Sequence, residues 1–325
     1  MPSVPSQPKI VVRMPNWLGD CVMSLPILQG LKNLFPNGTI DIAIKDSLAG
    51  LGDILPYIDN TVSPQNLKNR KYDTAIILPN SFRSAYEIWQ ANAPERIGYA
   101  GQLRSILLTR AVKRPLRGAF HQSDYYGRLA REAFPDIEIN PAAFDIPQKY
   151  FDQLEEILPS SSGKPNIGIG FGATYGDAKM WPAERFATLI DKLSEVAQVV
   201  LIGSDSEKEI EQRVLSEVTS KPISLVGRTN IPTLAAALSS FSVYLSNDTG
   251  PMHLASALGT PVVAIFGPTS PDETKPLGNN VTVIYRKAVC APCWKRKCLL
   301  DHQCMTAITV DEVETAVLRI LGSKL

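Results

Sequence analysis

A carboxylate at Asp20 stands where an apolar segment, Ile10 to Arg13, gives way through Gly19 to a helical pattern. In an open parallel sheet this position is the carboxyl edge, where ligands bind. A carboxylate there can act as a general base and take a proton from an attacking hydroxyl. It can equally cap the helix, because Asp satisfies free backbone N–H groups well. The residues alone leave both interpretations open.

Two later segments have the composition of a diphosphate site. The loop Phe171 to Pro182 carries two glycines, the Thr174 hydroxyl and the Lys179 cation between a predicted strand and a predicted helix. Backbone N–H groups at glycines and at a helix N-terminus bind phosphate oxygens. A surface loop with a solvated lysine is the alternative.

The second of these segments, Asn247 to His253, also follows an apolar strand and precedes a helix. Its candidate donor-binding residues are Asp248, Thr249, Gly250 and His253. A helix dipole and free N–H groups favour negative charge at such a place. Capping by Asp248 and simple packing of His253 stay open as alternatives.

A third candidate contact is Asp205, in the turn after the strand Val199 to Gly203. Its carboxylate can accept hydrogen bonds from a ribose or a base. Capping of the next helix explains the residue equally well.

Four of the five cysteines form the pattern C-x2-C-x4-C-x5-C at Cys290, Cys293, Cys298 and Cys304. This number of thiols suits a structural zinc ion or an iron–sulfur cluster. Only the first pair has the tight spacing of common metal sites. A group of reduced thiols without metal is therefore the alternative.

The chain has a basic stretch from Arg96 to Gln122, with six Lys or Arg residues and not one Asp or Glu. It lacks the interleaved aromatic residues that stack on bases, which argues against nucleic acid as a partner. Arginines pair well with phosphates and carboxylates, so the stretch suits an anionic acceptor at a membrane surface. A solvated loop is the alternative. The candidate acceptor-binding residues are Arg83, Arg96, Arg104, Arg114 and Arg117.

The elements that must position these residues alternate between strands and helices in both halves of the 325 residues. This alternation predicts an α/β protein with two doubly wound, Rossmann-like domains. The structure-breaking segment Pro159 to Pro165 predicts a domain boundary, with an N-terminal domain over 1–160 and a C-terminal domain over 161–309. A final helix over 310–325 is expected to pack back on the first domain.

Charge and hydropathy indicate where in the cell the protein is expected. The 33 basic residues nearly balance the 32 acidic ones, and no apolar stretch approaches the ~20 residues that cross a bilayer. The first eight residues lack the pattern of a secretory signal. We therefore expect a cytoplasmic protein with reduced cysteines.

Five segments in this order resemble the ADP-heptose:lipopolysaccharide heptosyltransferases, glycosyltransferase family 9. They are NWLGD-x-V-x-SLP at Asn16 to Pro26, LPNSFRSA at Leu78 to Ala85, RIGY at Arg96 to Tyr99, HQSDYY at His121 to Tyr126, and NDTGPMHLA-x-ALGTPVVAIFGPT at Asn247 to Thr269. The resemblance spans nearly the whole chain. It implies a GT-B fold, in which two Rossmann-like domains face a central cleft, with the acceptor mainly on the first and the ADP-sugar on the second.

The resemblance also implies an inverting transfer of L-glycero-D-manno-heptose from ADP-heptose, without a required cofactor. Asp20 matches the family's catalytic carboxylate. Thr174 and Lys179 match contacts to the donor phosphates, and Asp248 to Gly250 with His253 match the donor-binding motif.

Within the family, the cysteine cluster and the LPNSFRSA and HQSDYY segments favour the branch that adds the second heptose. The acceptor would then be the heptosyl-Kdo-lipid A inner core of lipopolysaccharide. The enzyme would contact the cytoplasmic face of the inner membrane peripherally. Transfer of the first heptose, a GT-B-like sugar-nucleotide epimerase and a non-catalytic nucleotide-sugar-binding protein are the alternatives.

Overall fold

The computed structural model describes residues 7–160, 163–173 and 175–322. The chain divides between Ile146 and Pro147 into two compact units. Each unit is built on one six-stranded sheet whose strands all run parallel. The two doubly wound halves that the sequence predicts are therefore confirmed.

The first unit contains the sheet with the strand order β3-β2-β1-β4-β5-β6. Its strands are β1 (Lys9–Arg13), β2 (Thr39–Ala43), β3 (Asn60–Val62), β4 (Thr74–Ile77), β5 (Glu95–Tyr99) and β6 (Arg110–Val112). Its helices are α1 (Leu18–Leu34), α2 (Phe82–Trp89) and α3 (Gln122–Ala133).

The second unit repeats this topology, with the strand order β12-β11-β10-β7-β8-β9. Its strands are β7 (Asn166–Gly170), β8 (Gln198–Leu201), β9 (Ile223–Ser224), β10 (Val243–Asn247), β11 (Val262–Phe266) and β12 (Val281–Tyr285). Its helices are α4 (Gln148–Glu155), α5 (Ala183–Ser194), α6 (Lys208–Leu215), α7 (Ile231–Ser240), α8 (Gly250–Ala257), α9 (Pro271–Thr274), α10 (Gln303–Thr306) and α11 (Val310–Gly322).

The central strands are buried along nearly their whole length and are mainly apolar, because helices cover both faces of each sheet. All five residues of β11 are buried, and so are all five of β10. In β1, only Lys9 at the edge is partly exposed. These continuous apolar runs fix the sheets, and the polar loops at their carboxyl ends are left to bind ligands.

The unit boundary differs from the predicted one at 160/161, because α4 packs on α7 of the second unit. In that contact the Thr233 hydroxyl donates a hydrogen bond to Gln153 at 3.1 Å. The breaker-rich segment Pro159 to Pro165 therefore lies inside the second unit and joins α4 to β7.

The C-terminal helix α11 also belongs to the second unit, and the expectation that it packs back on the first stays a prediction. Val313 and Val317 lie one turn apart and are fully buried in that unit's core. Lys192 on α5 pairs with Glu314 at 2.6 Å. Among the helices within the described ranges, none has the length and hydropathy needed to span a bilayer.

Candidate active site

Each sheet has one point where the strand order reverses, between β1 and β4 in the first unit and between β7 and β10 in the second. The connections leave these neighbouring strands in opposite directions, which opens a crevice at their carboxyl ends. The segment Asn16 to Asp20 follows β1, Phe171 to Pro182 follows β7, and Asn247 to His253 begins at the last residue of β10. The topology puts all three segments at edges where ligand binding is expected.

Asp20 is the third residue of α1 and is half-buried. The N-cap of this helix is Trp17, whose side chain makes no capping hydrogen bond. The N-cap interpretation of Asp20 is therefore wrong. Instead, the Tyr126 hydroxyl on α3 donates a hydrogen bond to Asp20 Oδ1 at 3.0 Å.

Burial raises the pKa of the Tyr126 hydroxyl well above its usual value, and the negative charge of Asp20 raises it further. The hydroxyl therefore keeps its proton at neutral pH and donates it in the hydrogen bond to Asp20. A donated hydrogen bond orients the carboxylate and favours its charged form. Tyr126 therefore orients the Asp20 carboxylate, and the only sequence signal for it is its place in the HQSDYY segment.

Tyr126→Phe is expected to lower kcat/KM about tenfold, since a hydrogen bond to a charged group contributes about 1.5–3 kcal/mol. The acidic limb of the pH profile should move to higher pH, because a carboxylate that loses a donor holds its proton more strongly. Tyr72→Phe is the matched control, because the Tyr72 hydroxyl donates to Asp41 at 2.9 Å in the same unit. Equal pH profiles for wild type and Tyr126→Phe would contradict the positioning role.

A cavity of about 200 Å³ adjoins the turn that carries Asn16. The buried Arg13 donates to Glu87 Oε2 at 2.9 Å, and the exposed Arg83 pairs with Glu87 Oε1 at 3.0 Å. Arg13 also donates to Asn16 Oδ1 at 3.1 Å. Lys45 contributes a further cation to the lining. The carboxylates of Asp46 and Glu87 also line this cavity, which lies beside the Asn16–Asp20 turn.

The prediction that Arg104 contacts the acceptor is wrong, because its side chain is fully buried. Its guanidinium packs against Gly98, where a Cβ atom would collide with it, and donates to the carbonyl of Pro79. Burial lowers the pKa of Arg104 to about 10. The missing side chain at Gly98 makes room for this packing, so Arg104 supports the loop after β4 instead of facing solvent.

The other arginines of the basic stretch differ among themselves. Arg96 is half-buried, and its Nε donates to the Leu107 carbonyl at 2.8 Å, so it is largely used within the fold. Arg114 and Arg117 are exposed. Burial raises the pKa of Tyr125. Its hydrogen bond with Asn80 and the positive charge of Arg114 lower this pKa, so Arg114 lies close to the Tyr125 ring.

In the second unit, Asn247 holds the loop after β7 to the end of β10. Its buried amide donates to the carbonyls of Phe171 at 2.9 Å and Gly172 at 3.2 Å. Its Oδ1 accepts from the backbone N–H of Trp181 at 3.2 Å. The two predicted diphosphate segments are thereby fixed to one another, a role for Asn247 that the sequence did not indicate.

Lys179 and Asp248 form an ion pair with 2.6 Å between Nζ and Oδ2. Both side chains are largely buried, and the Thr269 hydroxyl also donates to Asp248 at 2.6 Å. Lys179 is therefore not a solvated lysine. Asp248 does not cap α8 either, because the N-cap of this helix is Thr249.

Three of the remaining predicted donor contacts lie on or beside α8. Gly250 is the first helical residue, and His253 is buried in the first turn. The Thr249 hydroxyl lies 3.4 Å from that of Ser246. The predicted contact at Thr174 lies outside the described residues.

Asp205 is 79% exposed and pairs with Lys208 at 2.6 Å. The capping role at this turn belongs to Ser204 and Glu207, which form a reciprocal capping box. The Glu207 carboxylate lies against Gly172, where any Cβ atom would overlap it. Glu207 thus reaches the loop after β7, and the Ser-x-x-Glu spacing of the capping box was the sequence signal for it.

A second loop, Lys287 to Leu300, docks on the loop after β7; we call it the cysteine loop. The Tyr175 hydroxyl donates to the Trp294 carbonyl at 2.6 Å, and the Ala178 N–H donates to the Arg296 carbonyl at 3.2 Å. The Tyr175 ring lies between two cations, with Lys179 Nζ 4.7 Å and the Arg296 guanidinium carbon 5.3 Å from its centroid. The cysteine loop therefore supports the segment that carries Lys179.

Gly176→Ala is expected to weaken this docking. Gly176 has φ +150°, and a Cβ atom there would collide with the Arg296 carbonyl. The overpacking should lower the free energy of unfolding by about 1–3 kcal/mol and reduce ADP affinity. Gly101→Ala is the control, because Gly101 has φ +133° with nothing within 4 Å of its Cβ position. Equal stability of the two variants in denaturant unfolding would contradict the docking.

The Cys304 thiol lies near the other three thiols of the cluster. The pKa of Cys304 is raised to about 11, first by burial and then by the charges of Cys290, Cys298 and Cys293. Over the described ranges, however, no group of three or more His, Cys, Asp or Glu side chains is arranged to hold a metal ion. All four are free thiols in this arrangement, and a metal at this place stays a prediction.

Comparisons with known proteins show which family this chain is similar to. The family model described as glycosyltransferase family 9 (heptosyltransferase) matches residues 63–303. Lipopolysaccharide heptosyltransferase 2 of Salmonella typhimurium is 31% identical over 307 residues, 85% of this chain and 87% of that protein. Lipooligosaccharide heptosyltransferase 2 of Haemophilus ducreyi is 32% identical over 314 residues, 85% and 88% of the two chains. The solved structure of E. coli ADP-heptose lps heptosyltransferase II superposes with a TM-score of 0.83 at 28% identity, over 97% and 99% of the two chains.

Proposed function

The chain belongs to glycosyltransferase family 9, the heptosyltransferases, and from this premise we propose that it transfers the second heptose onto the lipopolysaccharide inner core. The donor is ADP-heptose and the acceptor is heptosyl-Kdo-lipid A. The two parallel six-stranded sheets with flanking helices have the GT-B fold of this family. The pairing of Lys179 with Asp248, at the point where the second sheet reverses, is the observation that carries the donor assignment.

The second unit is proposed to hold ADP-heptose by its diphosphate. Lys179, the backbone N–H of Gly250 and the dipole of α8 all favour negative charge at the carboxyl edge of β7 and β10. Thr174, Thr249 and His253 complete the proposed contacts, and Asp248 fixes the Lys179 ammonium. These groups would stabilise the charge that builds on the diphosphate as it leaves.

The first unit is proposed to supply the base. Asp20 takes the proton of the acceptor hydroxyl while the hydroxyl oxygen bonds to the anomeric carbon of the heptose. The bond from that carbon to the diphosphate oxygen breaks on the opposite face, and ADP leaves with the electron pair. One bond forms and one breaks at the anomeric carbon, so its configuration inverts.

Acceptor recognition is assigned to the cations around the Asn16–Asp20 turn. Arg83 and Lys45 line the adjoining cavity, and Arg114 lies near Tyr125. Such cations suit the carboxylates and phosphates of a Kdo-bearing inner core. Arg117 is exposed and stays a candidate acceptor contact. Because this acceptor is anchored by lipid A, the enzyme is placed peripherally at the cytoplasmic face of the inner membrane.

Formation of ADP from ADP-heptose tests the proposal. We expect ADP to form only when a lipopolysaccharide acceptor is present, in equal amount to the heptose incorporated. An epimerase would change the donor without releasing ADP, and a binding protein would hold ADP-heptose without turnover. Either outcome would contradict the proposed transfer.

Turnover is expected to survive treatment with a metal chelator, because the bond-forming step is assigned to Asp20 and the donor-binding groups. Transfer should stay within roughly twofold of the untreated rate as long as the chelator leaves the unfolding transition of the protein unchanged. Elemental analysis of protein purified without chelator decides whether metal is bound. Loss of transfer that added metal restores would contradict the prediction.

A further inference from the structure

An exposed apolar face lies on the first unit, beside the cavity that Arg83 lines. Helix α2 presents Phe82, Tyr86 and Trp89 to solvent at the spacing i, i+4, i+7, which places them on one side of the helix. The Tyr86 and Trp89 rings stack with their centroids 5.9 Å apart. An ordinary surface helix turns its apolar side inward, so this face is unusual.

A second apolar pair extends the face. The short 3-10 helix at 104–107 packs on α2, and it carries Ile106 at 80% exposure, next to Leu103 at 84%. Leu103 adopts φ +59°, a left-handed conformation that is uncommon for a residue with a Cβ atom. An apolar side chain is thus held in solvent by a strained backbone, which points to a use for it.

Basic residues outnumber acidic ones in the part of the chain that forms this face. Residues 61–122 contain ten Lys or Arg and only three Asp or Glu. The three acids are engaged within the fold: Asp73 accepts from the Lys9 N–H, Glu87 pairs with Arg13 and Arg83, and Glu95 pairs with Arg110.

Three of these cations lie next to the C-terminal end of α2. The turn with the exposed Lys68, Arg70 and Lys71 is joined to that end by the hydrogen bond from Asn69 N–H to the Gln90 carbonyl at 3.2 Å. One end of the apolar face therefore has three exposed cations, the basic rim, and none of them forms an ion pair within the described ranges.

We propose that this face, formed by Phe82, Tyr86, Trp89, Leu103 and Ile106, docks on an anionic lipid bilayer. Aromatic rings of Trp and Tyr prefer the level of the lipid headgroups, and aliphatic side chains enter the acyl region. Lys and Arg at the rim are attracted to anionic headgroups. The excess of positive charge beside this apolar centre is what favours an anionic bilayer as the partner.

Docking of this face on a bilayer would also bring the cavity near the membrane surface. The neighbouring side of α2 lines the cavity through Arg83, Ser84 and Glu87. With Phe82 and Tyr86 at the headgroups, the cavity would open close to the membrane surface. A sugar attached to lipid A would be presented at that height, an inference that rests on the proposed function.

The test is sedimentation with vesicles of phosphatidylcholine alone and of phosphatidylcholine with about one third phosphatidylglycerol. Wild type is expected to bind the mixed vesicles more strongly. Leu103→Ser/Ile106→Ser should lower the vesicle partition at least about tenfold. The control is Val289→Ser/Leu299→Ser, which removes side chains at 107% and 72% exposure from the second unit and should bind as wild type does.

The variant Lys68→Ala/Arg70→Ala/Lys71→Ala measures how much positive charge contributes to vesicle binding, separately from the apolar side chains. This variant should lose its preference for phosphatidylglycerol and keep the weak binding to phosphatidylcholine. The proposal is overturned if wild type does not sediment with the mixed vesicles, as for a face that binds a protein. It is also overturned if the Leu103 and Ile106 variant sediments as wild type does.

Transfer to a deacylated, water-soluble acceptor separates this inference from the proposed function. The Leu103→Ser/Ile106→Ser variant should match wild type on that acceptor and fall behind only on acceptor embedded in vesicles. Absence of transfer by wild type on both acceptors would refute the proposed function and leave the vesicle result standing. Equal losses on both acceptors would refute membrane docking as the role of the face.

Discussion

Asp20→Asn is expected to lower kcat by about a hundredfold to ten-thousandfold, the usual contribution of a general base. The amide has nearly the size of the carboxylate and can still accept the hydrogen bond from Tyr126, so the local structure should persist. ADP is assigned to the second unit, and its affinity should stay within about threefold of the wild-type value.

Asp124→Asn is the matched control for this substitution. Asp124 also lies in the first turn of a helix of the same unit, but it is exposed and has no role in the proposed reaction. Its turnover should equal that of wild type. Near-normal turnover of Asp20→Asn would refute the assignment of the base, and a large loss of ADP affinity would point to a structural role instead.

Lys179→Ala should have the largest effect on donor binding. Removal of one partner leaves the buried Asp248 carboxylate without its cation, at a cost of about 3 kcal/mol in the free energy of unfolding. ADP affinity should fall about a hundredfold, because a charge-assisted contact is lost and the uncompensated carboxylate repels the diphosphate.

Adenosine affinity distinguishes the loss of the phosphate contact from a general loss of folded structure in Lys179→Ala. Adenosine carries no phosphate, so it should bind the variant nearly as well as wild type. Lys192→Ala is the control for loss of a lysine ion pair, since Lys192 is more exposed and pairs with Glu314 on α11. It should leave ADP affinity unchanged. Isothermal titration calorimetry measures both ligands, and equal ADP affinity of Lys179→Ala and wild type would contradict the donor assignment.

The strands and the doubly wound class were predictable because parallel strands buried on both faces leave continuous apolar runs. The strand predicted over Val199 to Gly203 is observed as β8 (Gln198–Leu201). Strand β5 was missed, since its sequence begins with Glu95 and Arg96 and looks like part of a basic loop. This strand depends on pairing with β4 and β6 for its structure.

Contacts between segments that are distant in sequence account for most of what could not be predicted. Lys179 and Asp248 are 69 residues apart, and composition suggested a free cation and a cap instead of an ion pair. Arg104 was expected at the surface, and only the packing against Gly98 shows why it is buried. The docking of Trp294 on Tyr175 spans 119 residues and left no local pattern.

Mass spectrometry of the acceptor after reaction with ADP-heptose tests the central claim most directly. Kdo-lipid A and heptosyl-Kdo-lipid A are offered separately at equal concentration, with Asp20→Asn as the inactive reference. We predict the addition of one heptose to heptosyl-Kdo-lipid A only. Addition of heptose to Kdo-lipid A alone, or to neither acceptor, would contradict transfer of the second heptose by this enzyme.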